Sequence, residues 1–458
     1  MAKALEGVRV LDNGIVQAGT FPARLLADFG AEIIRVENYA RPDLSRNSVF
    51  PEGRAEDPYW EGGGTYHEQH RNKTLCIGLD VRNPEGREAF MRLVEKSDIV
   101  LDSHPPGVMD KLKLDYAALK ERKPDVIYVS TSGYGYHGPF ATVRSYGMMT
   151  EIMCGSGWLN GYPGEEPRRG ACPLTDHPST FHGAFMMMAA LIRRKKTGEG
   201  CWIDMSQYEI ATNVLGDAHV AHAIGAEVPA QLGSVDPGSP FSGVFRCDGF
   251  ERWIAVSVTS QPGWEGLCAM VGMPQLASIQ AFETPPDSET RGRLSVAVSA
   301  WAATRGTDVA FRELSAAGVA ASPVNDVRDL FLDPHLEERG FFWTMQQAPE
   351  QHSGKRAWPG PAAQMSVTPP QFNVRAPMLG EHNREVATRM LGYSPAEFEA
   401  MEASGAFGTI PAAAAMKPPP ADLSVRTSLS LSAYGRAKQV DSEHLDRLRA
   451  RFGADYGS

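Results

Sequence analysis

No hydrophobic run in this sequence is long enough to cross a bilayer. The longest, residues 183–192, falls well short of the roughly 20 apolar residues a spanning helix needs, so no membrane segment is expected. Paired cysteines are missing as well. The six, at 76, 154, 172, 201, 247 and 268, form no Cys-x-x-Cys motif, which removes the usual zinc-ribbon and dithiol spacings and fits reduced, buried thiols. Nothing signal-like follows Met-Ala-Lys at the start, so a cytoplasmic location is the expectation. Positive charge is in deficit: 45 Lys and Arg against 55 Asp and Glu give a net −10 at pH 7 and a pI near 5.7. That balance excludes nucleic acid as a bulk electrostatic partner and leaves only local basic residues to bind an anionic ligand.

A dinucleotide fingerprint is also absent. Residues 8–12 read as a strand, 21–29 have helical spacing ending at Gly30, and 33–37 read as a second strand closed by Glu37. Between the first strand and helix lies Gly14-Ile15-Val16-Gln17-Ala18-Gly19. It lacks the Gly-x-Gly-x-x-Gly that lets a pyrophosphate approach the backbone, which argues against a nicotinamide or flavin. Metal spacing is thin too. His219 and His222 on one helix, and His67-Glu68-Gln69-His70, come with no third ligand, so both sets are expected to be structural or surface histidines and no metal is expected.

What is present is a large globular composition, 42% hydrophobic and 22% charged over 458 residues, enough for two domains. Strand and helix patterns alternate at 75–79, 84–97, 99–102, 116–122 and 126–130, then again at 202–205 and 208–224. The alternation predicts an α/β fold with a mainly parallel, doubly wound, Rossmann-like sheet. Residues 40–73, rich in Pro, Gly, Asp and Arg, read as a surface excursion in which Gly62-Gly63-Gly64 supplies flexibility. The expected organisation is a large domain beginning with 1–227, a small α+β domain at 228–325, a return segment at 326–410, and an Ala/Pro-rich extension at 411–458.

Residues 171–200 stand out. Pro178, Ser179 and Thr180 are helix-start signals, and Gly198 is a left-handed stop after Arg193 to Lys196. Residues 181–192 are apolar on every face but His182, which predicts burial against protein on several sides. Asp176 then sits at or just before the helix's positive end beside Met and Phe. An Asp there is ordinarily a cap, but one held ionised and poorly hydrated is a candidate nucleophile. Gln17 places an amide at the carboxyl end of the first strand, where open α/β sheets bind ligands.

Several stretches, in order, resemble the class III CoA-transferase family, whose members include formyl-CoA and carnitine CoA-transferases and the related α-methylacyl-CoA racemases. They are Leu5-Glu6-Gly7-Val8-Arg9-Val10-Leu11-Asp12, Gln17-Ala18-Gly19, residues 26–37, Asn72-Lys73 leading into Leu79-Asp80, Pro106-Gly107-Val108-Met109, Ser132-Gly133-Tyr134-Gly135, the Asp176 helix with Lys196-Thr197-Gly198-Glu199-Gly200, and Ala376-Pro377-Met378-Leu379-Gly380-Glu381-His382. The resemblance spans roughly residues 5 to 410.

The resemblance implies transfer of coenzyme A, as co-substrate, from an acyl-CoA to a small carboxylic acid. Asp176 looks like the family's nucleophilic aspartate, forming a mixed anhydride and then an aspartyl-CoA thioester, and Gln17 like its loop glutamine, donating to the oxyanion or thioester. By the same matching Ala18, Leu79, Arg82, Lys111, Arg144 and Tyr146 line the CoA site. Arg82, Lys111 and Arg144 suit the diphosphate and 3′-phosphate, and Tyr146 covers the thioester end. The family's fold implies two ring-like subunits interlocked as a homodimer, with a hetero-oligomer as the alternative. Three departures stand out: Ser103-His104-Pro105 where the family often has Asn-Phe, Asn38 at an Arg position, and residues 233–240 in place of a glycine-rich lid. An acyl-CoA racemase is the rival, but its His would fall in Arg144-Ser145-Tyr146-Gly147, and His137 and His177 are out of register. A partner-dependent subunit is the second rival.

Overall fold

Six short runs of aliphatic residues form one parallel sheet: β1 (Arg9–Asn13), β2 (Glu32–Glu37), β3 (Leu75–Gly78), β4 (Ile99–Asp102), β5 (Ile127–Ser132) and β6 (Cys201–Ser206). Their order across the sheet is β3-β2-β1-β4-β5-β6, with Leu11 opposite both Ile34 and Val100. Successive residues along each central strand face opposite sides, and both sides are covered. Leu11, Ile34, Val100 and Tyr128 pack with Phe90, Leu93 and Leu119 of the helices Pro84–Glu95 and Tyr116–Arg122. Val10, Ile33, Ile99 and Val129 pack with Ala23 and Leu26 of helix Val16–Asp28 and with Met187 and Ala190 of helix Asp176–Thr197. The doubly wound sheet expected from the alternation is therefore observed. Order reverses between β1 and β4, and open sheets of this kind bind ligands in the crevice beyond the carboxyl ends of those strands.

This is a computed structural model, and it describes residues 3–170, 174–228, 230–412 and 443–458. The chain divides into two units: Met1–Cys154 with Cys172–Val214 and Phe331–Ser458, and Gly155–Ala171 with Leu215–Leu330. The first holds the parallel sheet, a hairpin of β10 (Phe342–Gln346) and β11 (Lys355–Pro359), and a final helix, His444–Phe452. In the second, β7 (Ser242–Arg246), β8 (Trp253–Ser257) and β9 (Ala320–Pro323) form an antiparallel sheet over a core that includes Ile254, Trp264, Leu294 and Leu314. That unit starts before the composition change at 228 and takes in 155–171, a Gly- and Pro-containing stretch with no periodic signal. Of the tail, 413–442 and, earlier, Cys172 lie outside the described residues.

Two local expectations are corrected. Gly64–His70 is a helix inside the supposed irregular excursion. Buried ion pairs hold the region: Arg46 bonds Glu37 at 2.8 Å and Glu61 at 2.8 Å, and Arg71 bonds Asp28 at 3.1 Å. Those partners lie 9, 15 and 43 residues apart and carry no helical period. The Asp176 helix is also not enclosed. It meets its neighbours through Ser179, Thr180, Gly183, Met187 and Ala190, while Phe181 and Phe185 are 62% and 69% exposed.

Candidate active site

Asp176 is the first residue of its helix, after Thr175. It does not act as a cap: among the described residues no amide of its own helix donates to the carboxylate. Its partner is Gln207, whose Nε2 donates to Oδ1 at 2.8 Å. Gln207 opens the helix Gln207–Val214 directly after β6, so the carboxyl edge of the sheet supplies the donor. Oδ2 has no hydrogen-bond partner among the described residues.

The other wall of this carboxylate is bare backbone. A Cβ at Gly147 would lie 2.8 Å from Oδ1 and 2.9 Å from Oδ2, so only glycine lets the chain after β5 pass this close. Gly147 is itself fixed. Its carbonyl accepts from the Thr175 hydroxyl at 3.1 Å and the Thr150 hydroxyl at 3.0 Å, and both threonines are fully buried. Glu151, also buried, accepts from the Leu174 amide at 3.3 Å. Burial raises the pKa of Asp176 from its ordinary value; the Gln207 hydrogen bond and the His177 ring oppose the rise, and the nearby Glu151 charge adds to it. The result is a poorly hydrated carboxylate with one oxygen oriented and the other available, which is the state an acyl-transfer nucleophile requires.

Gln17, at the start of the helix after β1, contacts the residue that follows Asp176. Its Nε2 lies 3.2 Å from the ring of His177, the residue after Asp176, and Phe21 meets that ring edge-on at 6.4 Å. The helices carrying the two residues approach closely, Pro22 facing Gly183. Gln17 follows Val16, which adopts φ +55° at the helix start, an uncommon conformation for a β-branched residue.

The expected CoA-site residues all lie on segments that follow the carboxyl ends of the parallel strands. Ala18, buried, follows β1; Leu79, buried, and Arg82 follow β3; Lys111 ends the turn of helix Val108–Lys111 after β4; Arg144 and Tyr146, exposed, follow β5. Ala18 adjoins Gln17 and Tyr146 adjoins Gly147. No hydrogen bond joins Leu79, Arg82, Lys111 or Arg144 to the Asp176 cluster among the described residues. Arg82 is held by Asp80 through two contacts of 2.9 and 2.8 Å. His104, at the departure after β4, has Nδ1 on Asp102 Oδ1 at 2.6 Å. Burial disfavours its charged form, but the Asp102 charge and hydrogen bond outweigh that and raise its pKa.

Sequence reasoning missed Gln207, Gly147 and Glu151. Gln207 was within reach, since the rule that singled out Gln17, an amide just past a parallel strand, applies equally to β6. Gly147 had no such signal because its value lies in an absent side chain. His67 and His70 are buried structural groups: His67 Nε2 lies 2.7 Å from the Glu61 carbonyl and His70 stacks on Tyr66.

A sequence model described as CoA-transferase family III matches residues 5–383. The chain belongs to CoA-transferase family III. It is 33% identical over 403 residues to a probable CoA-transferase of Mycobacterium tuberculosis, covering 86% of this chain but only 49% of that protein, so it spans about half of that relative's length. It is 28% identical over 398 residues to the succinyl-CoA–L-malate CoA-transferase alpha subunit of Chloroflexus aurantiacus, covering 86% of this chain and 90% of the other. A crystal structure of a CaiB/BaiF family protein from Brucella suis superposes with a TM-score of 0.75 at 26% identity, over 85% of this chain and 100% of the other.

Proposed function

We propose that this chain moves CoA from an acyl-CoA to a carboxylic acid through covalent intermediates on Asp176. The observation that carries this reading is the Asp176 carboxylate itself, with Oδ1 held by Gln207 and Gly147 flush against it. Asp176 Oδ2 attacks the thioester carbonyl, the C–S bond breaks, and CoA thiolate leaves a mixed anhydride. The thiolate then attacks the Asp176 acyl carbon, releasing the donor acid and forming an aspartyl-CoA thioester. The acceptor carboxylate attacks that carbonyl and expels the thiolate again. Its attack on the acceptor's acyl carbon gives the new acyl-CoA and restores the Asp176 carboxylate. No net proton is consumed. Each attack builds negative charge on a carbonyl oxygen, and in this reading the Gln17 amide donates to it.

In this reading Ala18 and Leu79 line the CoA path, Arg82, Lys111 and Arg144 neutralise its phosphates, and Tyr146 covers the thioester end. Arg82 exchanges Asp80 for phosphate, or shares itself between them. The relative named for succinyl-CoA and L-malate supports a dicarboxylic donor and acceptor here. The apolar face of Phe181, Phe185 and Ile192, with Met148, Met149 and Ile152 on the Gly147 helix, supports subunits that cover one another as an interlocked dimer. The same relative's designation as an alpha subunit supports a hetero-oligomer as the second arrangement. Free thiols at Cys76, Cys154, Cys201, Cys247 and Cys268 suit a reducing cytoplasm.

The test is a panel of acetyl-, oxalyl-, succinyl- and glutaryl-CoA, each with isotope-labelled acids of the same set. Exchange of CoA between free acids, abolished in D176A, is the expected result. Exchange that persists in folded D176A overturns the covalent role, and α-proton exchange with solvent without CoA exchange would place the chain with the racemases.

A further inference from the structure

We infer that Asp43 is a positioning residue for catalysis, a latch that holds Val16 in its left-handed conformation and thereby fixes the Gln17 amide against His177, the residue after Asp176. The inference rests on the reading of Gln17 and Asp176 just given. Asp43 lies in the segment between β2 and β3, far in sequence from every reacting group, yet its carboxylate is buried and fully engaged. Oδ2 accepts from the Val16 amide at 2.9 Å and from Arg35 Nη2 at 3.2 Å. Oδ1 accepts from the Ser45 amide at 2.9 Å and its hydroxyl at 2.8 Å. The Asp43 amide donates to Glu37 at 2.8 Å, and Glu37 is in turn clamped by Arg46.

The loop between β1 and its helix is held by several polar groups. Arg35 donates to the Gly14 carbonyl, Asp12 accepts from the Gly14 amide at 3.0 Å, and the Ser103 hydroxyl takes the Ile15 amide at 2.8 Å. Lys73 pairs with Asp12 at 2.6 Å from the far end of the same segment. Among these contacts only Asp43 holds the residue with φ +55°. A Val in that region relaxes toward ordinary backbone unless its surroundings over-determine it, and such positions gather where geometry serves function. Relaxation at Val16 would swing the next residue, Gln17, away from His177 and the site where oxyanion charge develops.

A thermodynamic cycle separates this role from a merely structural one. D43N, V16G and the double variant are assayed for CoA exchange with the most active of the four donors named above, with melting temperature recorded for each. Glycine occupies the left-handed region freely, so it removes the need for a latch. The expected result is a D43N loss of ~10–100-fold in kcat with KM for the donor within ~3-fold of wild type, the size of effect that displacing a catalytic group by a fraction of an ångström to about 1 Å produces. In the V16G background the same D43N change lowers kcat by less than ~3-fold. Equal losses in the two backgrounds, or a change confined to KM, overturn the inference. If D43N gives no folded protein, D43E, which keeps the charge toward Arg35 but displaces the carboxylate, is carried through the same cycle and read the same way. Exchange persisting in D176A sinks the functional reading itself; equal losses with an inactive D176A sink only the latch.

Discussion

Replacing Gly147 by alanine inserts one methyl group against the carboxylate proposed as nucleophile and nothing else. The new Cβ would stand 2.8 to 3.0 Å from all three carboxyl atoms of Asp176, and ordinary contact begins near 3.4 Å. The carboxylate must therefore retreat by up to about 0.6 Å, a rotation that lengthens or breaks the 2.8 Å bond from Gln207. Because the clashing atoms are the end of one side chain rather than backbone, folding suffers little, on the order of 1 kcal/mol from a weakened charge-assisted hydrogen bond. Catalysis is more sensitive. A reacting group displaced by a fraction of an ångström to about 1 Å loses ~10- to 100-fold in rate. In CoA exchange G147A should thus lower kcat by that factor, with KM for the acyl-CoA within ~3-fold and a melting temperature within a few degrees of wild type. Wild-type kcat in a folded G147A protein would refute the reasoning, as would a collapse in stability that accounts for the loss.

Other outcomes follow from the same geometry. Activity should fall as pH drops through the raised pKa of Asp176, and Q207M, which removes a hydrogen bond favouring the ionised form, should move that acid limb of the kcat profile to higher pH; an unmoved limb contradicts the assignment. R46M leaves Glu37 and Glu61 buried without their cation and should destabilise the fold by ~3–5 kcal/mol at neutral pH by chemical denaturation. Burial alone would raise the Glu37 pKa, but the Arg46 charge and hydrogen bond, joined by the Arg35 charge and the Asp43 amide, bring it down to about 2. Its contribution is therefore full above the usual carboxylate value of 4.5 and is lost toward about 2, so the R46M deficit should shrink across that window. F185E puts a charge on the exposed apolar face, and light scattering should show the wild type as a multiple of 49.8 kDa and the variant shifted toward that mass.

Much of this was legible in the sequence because it depends on local periodicity. The runs at 8–12, 33–37 and 99–102 alternate with helical spacing, and a parallel sheet wound on both faces is the fold that such alternation builds. Asp176 and Gln17 were legible because both sit at chain positions, a helix start and a strand exit, that sequence marks. What escaped depends on partners distant along the chain. The helix Gly64–His70 begins on the third of three glycines and is held in a region where Arg46 finds Glu37 and Glu61, and Arg71 finds Asp28, only in three dimensions. The helix expected over 208–224 breaks at Leu215, just before Gly216 and at the boundary between the two units, which leaves Gln207–Val214 and Gly216–Ala223, while the apolar positions continue across the break. The enclosure expected for the Asp176 helix fails within one chain: periodicity shows that Phe181 and Phe185 need cover, and not whose surface provides it.

The most direct test of the account is to mix the protein with each of the four acyl-CoA donors, quench within the first turnovers, add hydroxylamine, and locate the modified residue by intact and peptide mass. The account predicts a CoA or acyl adduct that hydroxylamine converts to a hydroxamate on Asp176 alone. A protein that exchanges CoA between acids while Asp176 stays unmodified, or whose adduct maps to another residue, contradicts it.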